Sequence, residues 1–211
     1  MITVVGNLKG GCGKSTVTFN FAVWLALRGA KVAIYDLDPQ RTISDVIEVR
    51  NEEAFEPRVE VHHSSTDLAQ QLQHADGEIL IDVGIADIEA MRTAITLADR
   101  IVIPVPPSQA DLWSTQRFLG MINEFTPERT PSLYLFVNRA DTHHAVRESD
   151  ETEEALAALN SATLLTNRLH QRTAYRRSFS EGLGVFELQG DSKAAIEFNQ
   201  LASLLYPDFV R

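Results

Sequence analysis

Residues 8–16 read LKGGCGKST, and the apolar run ITVVG (residues 2–6) stands just before them. A strand that enters a glycine-rich turn and leaves it as a helix is built to hold phosphate. Gly10, Gly11 and Gly13 let the backbone turn its N–H groups inward around an anion, and the following helix start adds the positive end of its dipole. Cys12, set between glycines, reads as a small space-filling residue of the same loop. Lys14 supplies a point charge for the β and γ phosphates, the Ser15 hydroxyl can ligate Mg2+, and Thr16 is placed for the α phosphate. The stretch departs from the general pattern G-x-x-x-x-G-K-[ST] at its first position. It also holds a second lysine, Lys9, for which a single phosphate loop has no use. The chain has only four lysines against fifteen arginines, so two of the four in one loop require a reason.

Outward from this loop, short β-rich apolar runs alternate with longer helical patterns. KVAIYD (31–36), EILID (78–82), RIVIPV (100–105) and LYLFVN (133–138) are nearly continuous apolar runs, as expected of strands buried on both faces. ATLLT (162–166) adds a further strand, and VEVHH (59–63) a weaker one. Helical periodicity covers 14–28, 40–53, 66–74, 87–98, 110–124 and 147–160, with two closing helices near 172–182 and 191–205. This alternation predicts an α/β fold: a mostly parallel twisted sheet flanked by helices on both faces. No linker, repeat or low-complexity segment divides it, so residues 1–211 are expected to form a single domain. PVPPSQAD (104–111) leaves the C-terminal end of a strand, where ligands bind in such sheets.

Composition narrows the function classes. The formal charge of −10 argues against general affinity for nucleic acid or anionic membrane. A single cysteine excludes an intramolecular disulfide and a cysteine-based zinc site, and with no signal-peptide pattern or long apolar run a cytoplasmic protein is expected. The pairs His62-His63 and His143-His144 are adjacent in sequence and diverge, so they read as surface or strand-end residues, not metal ligands. Charge is unevenly spread. Residues 155–180 contain no Asp or Glu but include Arg168, Arg172, Arg176 and Arg177, making that stretch +4 and the remainder −14. The acidic run Glu148–Glu154 just before it reads as the solvated start of a helix.

A nucleotide-hydrolysing site also needs carboxylates at strand ends. YDLDPQ (35–40) places Asp36 and Asp38 at the end of the second strand, and Asp82 ends ILID. Asp82 fits the role of holding Mg2+ through water. KGGCGKST, YDLDPQ, ILIDVG and IPVPPS, together with RRSFSEGLGVFE near the C-terminus, resemble the ParA/MinD family of deviant Walker P-loop NTPases across nearly the whole chain. The resemblance implies ATP and Mg2+ as ligands, and an ATPase that forms a homodimer around two nucleotides. It makes Lys9 the signature lysine that reaches the nucleotide of the partner subunit, as an arginine finger does in trans. By the same analogy Asp38 orients the attacking water, Asp36 lies near the metal and Asp82 supports it. Asn138 and Arg139 are the candidates for adenine contacts.

Small members of that family bind nonspecific DNA as ATP-bound dimers, which gives Arg168, Arg172, Arg176 and Arg177 a use. On a helix starting near residue 172, Arg172 and Arg176 would share a face, and a dimer would double the strip. A membrane-targeting C-terminal helix is not expected, because QLASLLYPDFVR holds one arginine and a helix-ending proline. The resemblance thus implies a nucleoid-associated ATPase stimulated by a cargo-linked protein of the McdB or ParB kind, with carboxysome distribution, as by McdA proteins, favoured over plasmid partition. The rivals are a metabolic P-loop ligase or kinase of the dethiobiotin-synthetase type and a non-hydrolysing nucleotide-binding scaffold.

Overall fold

A computed structural model describes residues 1–64, 66–129, 131–143 and 147–210. Its strands are β1 (Ile2–Val5), β2 (Val32–Asp36), β3 (Glu60–His62), β4 (Glu78–Asp82), β5 (Arg100–Val105), β6 (Ser132–Ala140) and β7 (Thr163–His170). They join in one sheet of order β3-β2-β4-β1-β5-β6-β7, and every pair is parallel. The helices are α1 (Lys14–Ala26), α2 (Thr42–Glu52), α3 (Leu68–His74), α4 (Ile88–Leu97), α5 (Gln109–Phe125), α6 (Glu148–Ala157), α7 (Thr173–Ser180), α8 (Val185–Leu188) and α9 (Lys193–Leu205).

The apolar strands divide the core in two. Ile34, Leu80, Val102 and Phe136 face one side, where they meet Phe19, Phe21 and Trp24 of α1 and Phe198 of α9. Val4, Ile81, Ile101 and Leu135 face the other, against Met91 of α4, Phe118 of α5 and Leu156 of α6. That period-two division is the reason the runs look continuously apolar: each face is covered. Because order reverses at β1, the loops after β1, β2, β4 and β5 converge at one rim, the usual position of a ligand crevice.

The structure departs from sequence expectation at the right-hand edge. β6 extends to Ala140 and β7 to His170, through polar residues beyond their apolar runs, and α8 is a single extra turn. Arg50 of α2 is fully buried. It forms two 2.9 Å hydrogen bonds with the Glu187 carboxylate and donates to the carbonyls of Gly182, Pro57 and Glu56, fastening α2 to α8. His62 lies beside Glu60 and stacks obliquely on Tyr35; His144 lies outside the described residues. Among the described residues no group of three or more His, Cys, Asp and Glu side chains is gathered as a metal site, and no helix is long and apolar enough to cross a membrane.

Candidate nucleotide-binding site

The loop between β1 and α1 has the shape its glycines predict. Gly11 and Gly13 take φ of 75° and 94°, left-handed values that a side chain would strain. Gly13 is constrained further, since a Cβ there would lie 2.4 Å from Asn138 Nδ2. Lys14 is buried at the start of α1, with Nζ 3.4 Å from the Lys9 carbonyl. Cys12 is buried beside it, and burial pushes its thiol up from its ordinary pKa despite the opposing charge of Lys14. The thiol therefore stays protonated and acts as packing. The first position of the general phosphate-loop pattern, counted back from Ser15, falls on Leu8. Asn7 just before it is buried and donates from Nδ2 to the Pro104 carbonyl at 3.0 Å, securing the loop entrance to the end of β5.

The carboxylates arrive by strand register. Asp36 and Asp82 are direct Cα partners on the adjacent strands β2 and β4. The Ser15 hydroxyl donates to Asp82 Oδ2 at 2.6 Å, while Asp82 Oδ1 is buried without a partner. Burial, outweighing the Ser15 hydrogen bond and the Lys14 charge, raises Asp82 to about 7. Asp36 Oδ2 accepts from the Ser44 amide and hydroxyl at 2.9 and 3.0 Å, and its Oδ1 is likewise unpartnered. Burial raises the Asp36 pKa as well. Two orphaned carboxylate oxygens and a hydroxyl form a set of hard oxygen donors that fits Mg2+, whose charge would stabilise both ionised forms. Asp38 sits apart: its Oδ1 accepts from the Gln40 amide, and its Oδ2 lies so close to Gly84 that a Cβ there would be 2.7 Å away.

Lys9 does not turn into the phosphate loop. Its Nζ meets Asp111 Oδ2 in the first turn of α5, and Ser108, the N-cap of that helix, donates its hydroxyl to the same oxygen. Asp111 was not anticipated from sequence. The signal was there in Ser108-Gln-Ala-Asp111, a capping pattern.

A cleft of about 520 Å3 opens beside the loop, in the range of small-molecule sites. Gly10, Gly11, Gly13, Lys14, Ser15 and Thr16 line it from the phosphate loop, Asp38 from the end of β2, and His170, Gln171, Arg172, Tyr175 and Phe179 form a second wall. Sequence reasoning does not bring this second wall, built by the end of β7 and by α7, to the nucleotide: it gives Arg172 to DNA and takes RRSFSEGLGVFE, which holds Phe179, only as part of the family resemblance. Asn138 and Arg139 also line the cleft, with their donors directed at the loop carbonyls of Cys12 and Gly11.

The arginine group is less free than its composition indicates. Arg168 is bound by Asp150 and Glu153 of α6, and Arg172 by Glu197 of α9. α7 starts at Thr173, so Arg172 is the extended residue before it and does not share a helical face with Arg176. Arg176 is exposed and lines the cleft, and Arg177 pairs with Glu181 one turn on.

Known proteins resemble this chain in sequence and in fold. The chain is 31% identical over 96% of its length, and 95% of the other's, to maintenance of carboxysome distribution protein A of Halothiobacillus neapolitanus. It is 29% identical to protein ParA of Rhizobium radiobacter, covering 93% of this chain and 91% of that one. The septum site-determining protein MinD of Pyrococcus horikoshii, solved with Mg-ADP, superposes with a TM-score of 0.74 at 21% identity over 97% and 94% of the two chains. The profile of the CobQ/CobB/MinD/ParA nucleotide binding domain matches residues 3–185, which span the phosphate loop, all three strand-end aspartates and the cleft. By that match the chain belongs to the CobQ/CobB/MinD/ParA nucleotide-binding domain family.

Proposed function

We propose that residues 1–211 act as one ATPase domain that dimerises around two MgATP, binds nonspecific DNA in that state and distributes a cargo, carboxysomes in first place. The observation that carries the ATPase reading is the convergence of Lys14, Ser15, Asp38 and Asp82 at one rim, at strand ends fixed by sheet register. Lys14 and the loop amides neutralise the β and γ phosphates, Ser15 with Asp82 and Asp36 holds Mg2+, and the metal supplies charge neutralisation at the phosphates. Asp38, exposed to the cleft end where the γ phosphate would lie, orients water for attack. Lys9 leaves Asp111 and serves the partner's nucleotide. The similarity to the carboxysome distribution protein supports that cargo, with hydrolysis stimulated by a cargo-bound protein of the McdB kind. The similarity to a ParA supports plasmid partition with a ParB-like stimulator as the second reading.

DNA contact rests on Arg176 and Arg177, because Arg168 and Arg172 are largely buried against their carboxylates, whereas Arg177 stays exposed even with its pairing to Glu181. Phosphate release from the purified chain is the deciding measurement. Turnover above a Lys14→Ala background without any added metabolite supports the reading; turnover only with a small acid or amine acceptor transfers the site to a ligase. No turnover, with ATP bound, makes the chain a nucleotide-gated scaffold.

A further inference from the structure

A phosphate-binding turn directs its N–H groups inward, so its carbonyls must face outward, and each buried carbonyl needs a donor of its own. Here the carbonyl of buried Cys12 and that of its exposed neighbour Gly11 receive two consecutive side chains. Asn138 Nδ2 donates to the Cys12 carbonyl at 2.7 Å, and Arg139 donates to the Gly11 carbonyl. Adjacent strand residues ordinarily point to opposite faces. They converge because β6 is irregular at this place: Asn138 pairs with Leu169 and Ala140 with His170, with register shifts on either side of Asn138. Arg139 takes a φ of 58°, a left-handed value for a residue that has a Cβ. Strained backbone retained at a ligand cleft has to be held by its surroundings. What holds it is a chain of contacts: Arg139 Nε donates to Gln171 Oε1 at 2.7 Å, and the Gln171 amide donates to the Ala140 carbonyl at 2.9 Å.

We infer that Arg139 is a positioning residue, which braces the phosphate loop in its binding shape and ties it to the far wall of the cleft through Gln171. This rests on the nucleotide-binding reading of the cleft and replaces an adenine contact for Arg139 with a role toward the loop. Three glycines make the loop easily disordered, and a brace made before binding removes an ordering cost from the ligand's account. Gln171 lines the same cleft as the loop glycines, so the same guanidinium links the loop to the wall built by β7 and α7.

The variant Arg139→Gly separates this role from a structural one. Glycine accepts the left-handed backbone without strain, and its greater freedom when unfolded works in the opposite direction, so the melting temperature should stay within about 3 °C of wild type. Affinity for MgATP and MgADP, measured by calorimetry, should fall together by roughly tenfold, the scale of a charged hydrogen bond. The ratio of ATP to GTP affinity should not move. Gln171→Ala should weaken binding less, and adding it to Arg139→Gly should weaken binding no further, since both cut one chain. Unchanged affinity in Arg139→Gly overturns the brace. So does a collapse of the ATP-to-GTP ratio, which would mark a base contact, or full additivity of the two substitutions. A wild-type chain that binds neither nucleotide would fail the nucleotide reading itself, before the brace is tested.

Discussion

Lys9 Nζ lies 2.7 Å from Asp111 Oδ2, so the lysine that precedes the phosphate-loop glycines is held by the first turn of α5 in its own chain. The two side chains are unequal partners: Lys9 is 42% exposed and Asp111 only 5%. An exposed ammonium can be released from a fixed carboxylate, whereas Asp111 stays where Ser108 and its helix place it. Replacing Lys9 with Ala should therefore leave the fold in place at a cost of about 1–3 kcal/mol for the stranded carboxylate. ATP-dependent dimerisation, followed by light scattering, or hydrolysis should be lost. Full activity in that variant would remove the trans role of Lys9.

Gly84 offers a test of the water-orienting role proposed for Asp38. A Cβ at residue 84 would stand 2.7 Å from Asp38 Oδ2, so Gly84→Ala must displace that carboxylate. Nucleotide affinity should be kept within about threefold, while turnover should drop by about 100-fold, the usual scale of a lost water-orienting group. Asp38→Ala should give the same pattern. Loss of binding in either variant would contradict a role limited to the attacking water.

Asp82 makes stability depend on pH. Its carboxyl is raised by burial from an ordinary 3.8 to about 7, so between those values the folded chain retains a proton that the unfolded chain has released. Stability of the ligand-free protein should accordingly fall as pH rises from about 4 to 7, with the full penalty present above that window. Asp82→Asn should raise stability at pH 8 by about 2–4 kcal/mol and flatten the profile across the window. Denaturant melts at several pH values provide the check.

The basic residues divide into two pairs with different outcomes. Arg176→Glu with Arg177→Glu should weaken ATP-dependent DNA binding and reduce its salt dependence, with little effect on melting. Arg172→Glu would place a second carboxylate against Glu197 and should destabilise the fold by about 1–3 kcal/mol. DNA retention assays and melting curves on the same preparations separate the two effects. Undiminished DNA binding in the Arg176/Arg177 variant at equal dimerisation would move the DNA surface elsewhere.

Arg50 predicts a larger loss. Removing its guanidinium strands the half-buried Glu187 and the carbonyls of Gly182 and Pro57, so Arg50→Ala should cost about 3–5 kcal/mol. The double variant with Glu187→Gln should recover part of that loss, as measured by urea titration.

Much of this architecture was legible because the relevant physics is local. Continuous apolar runs mark strands covered on both faces, and all seven expected strands are present in parallel register. The turn composition of residues 10–13 reports its own backbone, and Gly11 and Gly13 adopt the left-handed angles it requires. Contacts between distant segments were not legible. Arg168 and Arg172 looked like free charge because the carboxylates that bind them lie on α6 and α9, and sequence spacing does not reveal such pairing. β6 and β7 extend past their apolar runs, through Arg139 and Asn167, because they pair with each other as far as Ala140 and His170 through a register shift. The wall formed by residues 170–179 could not be read as part of the site, since only tertiary folding brings it to the same cleft as the phosphate loop.

The outer strands of the sheet limit how copies of this chain can associate. β3 has three residues, too few free backbone groups to template another strand. β7 is longer, but it is twisted by the register shifts against β6 and carries Arg168 clamped to α6. Short, irregular and charged borders resist fibre-like growth by strand addition. Crowding copies of this chain should therefore not by itself seed polymerisation along the sheet.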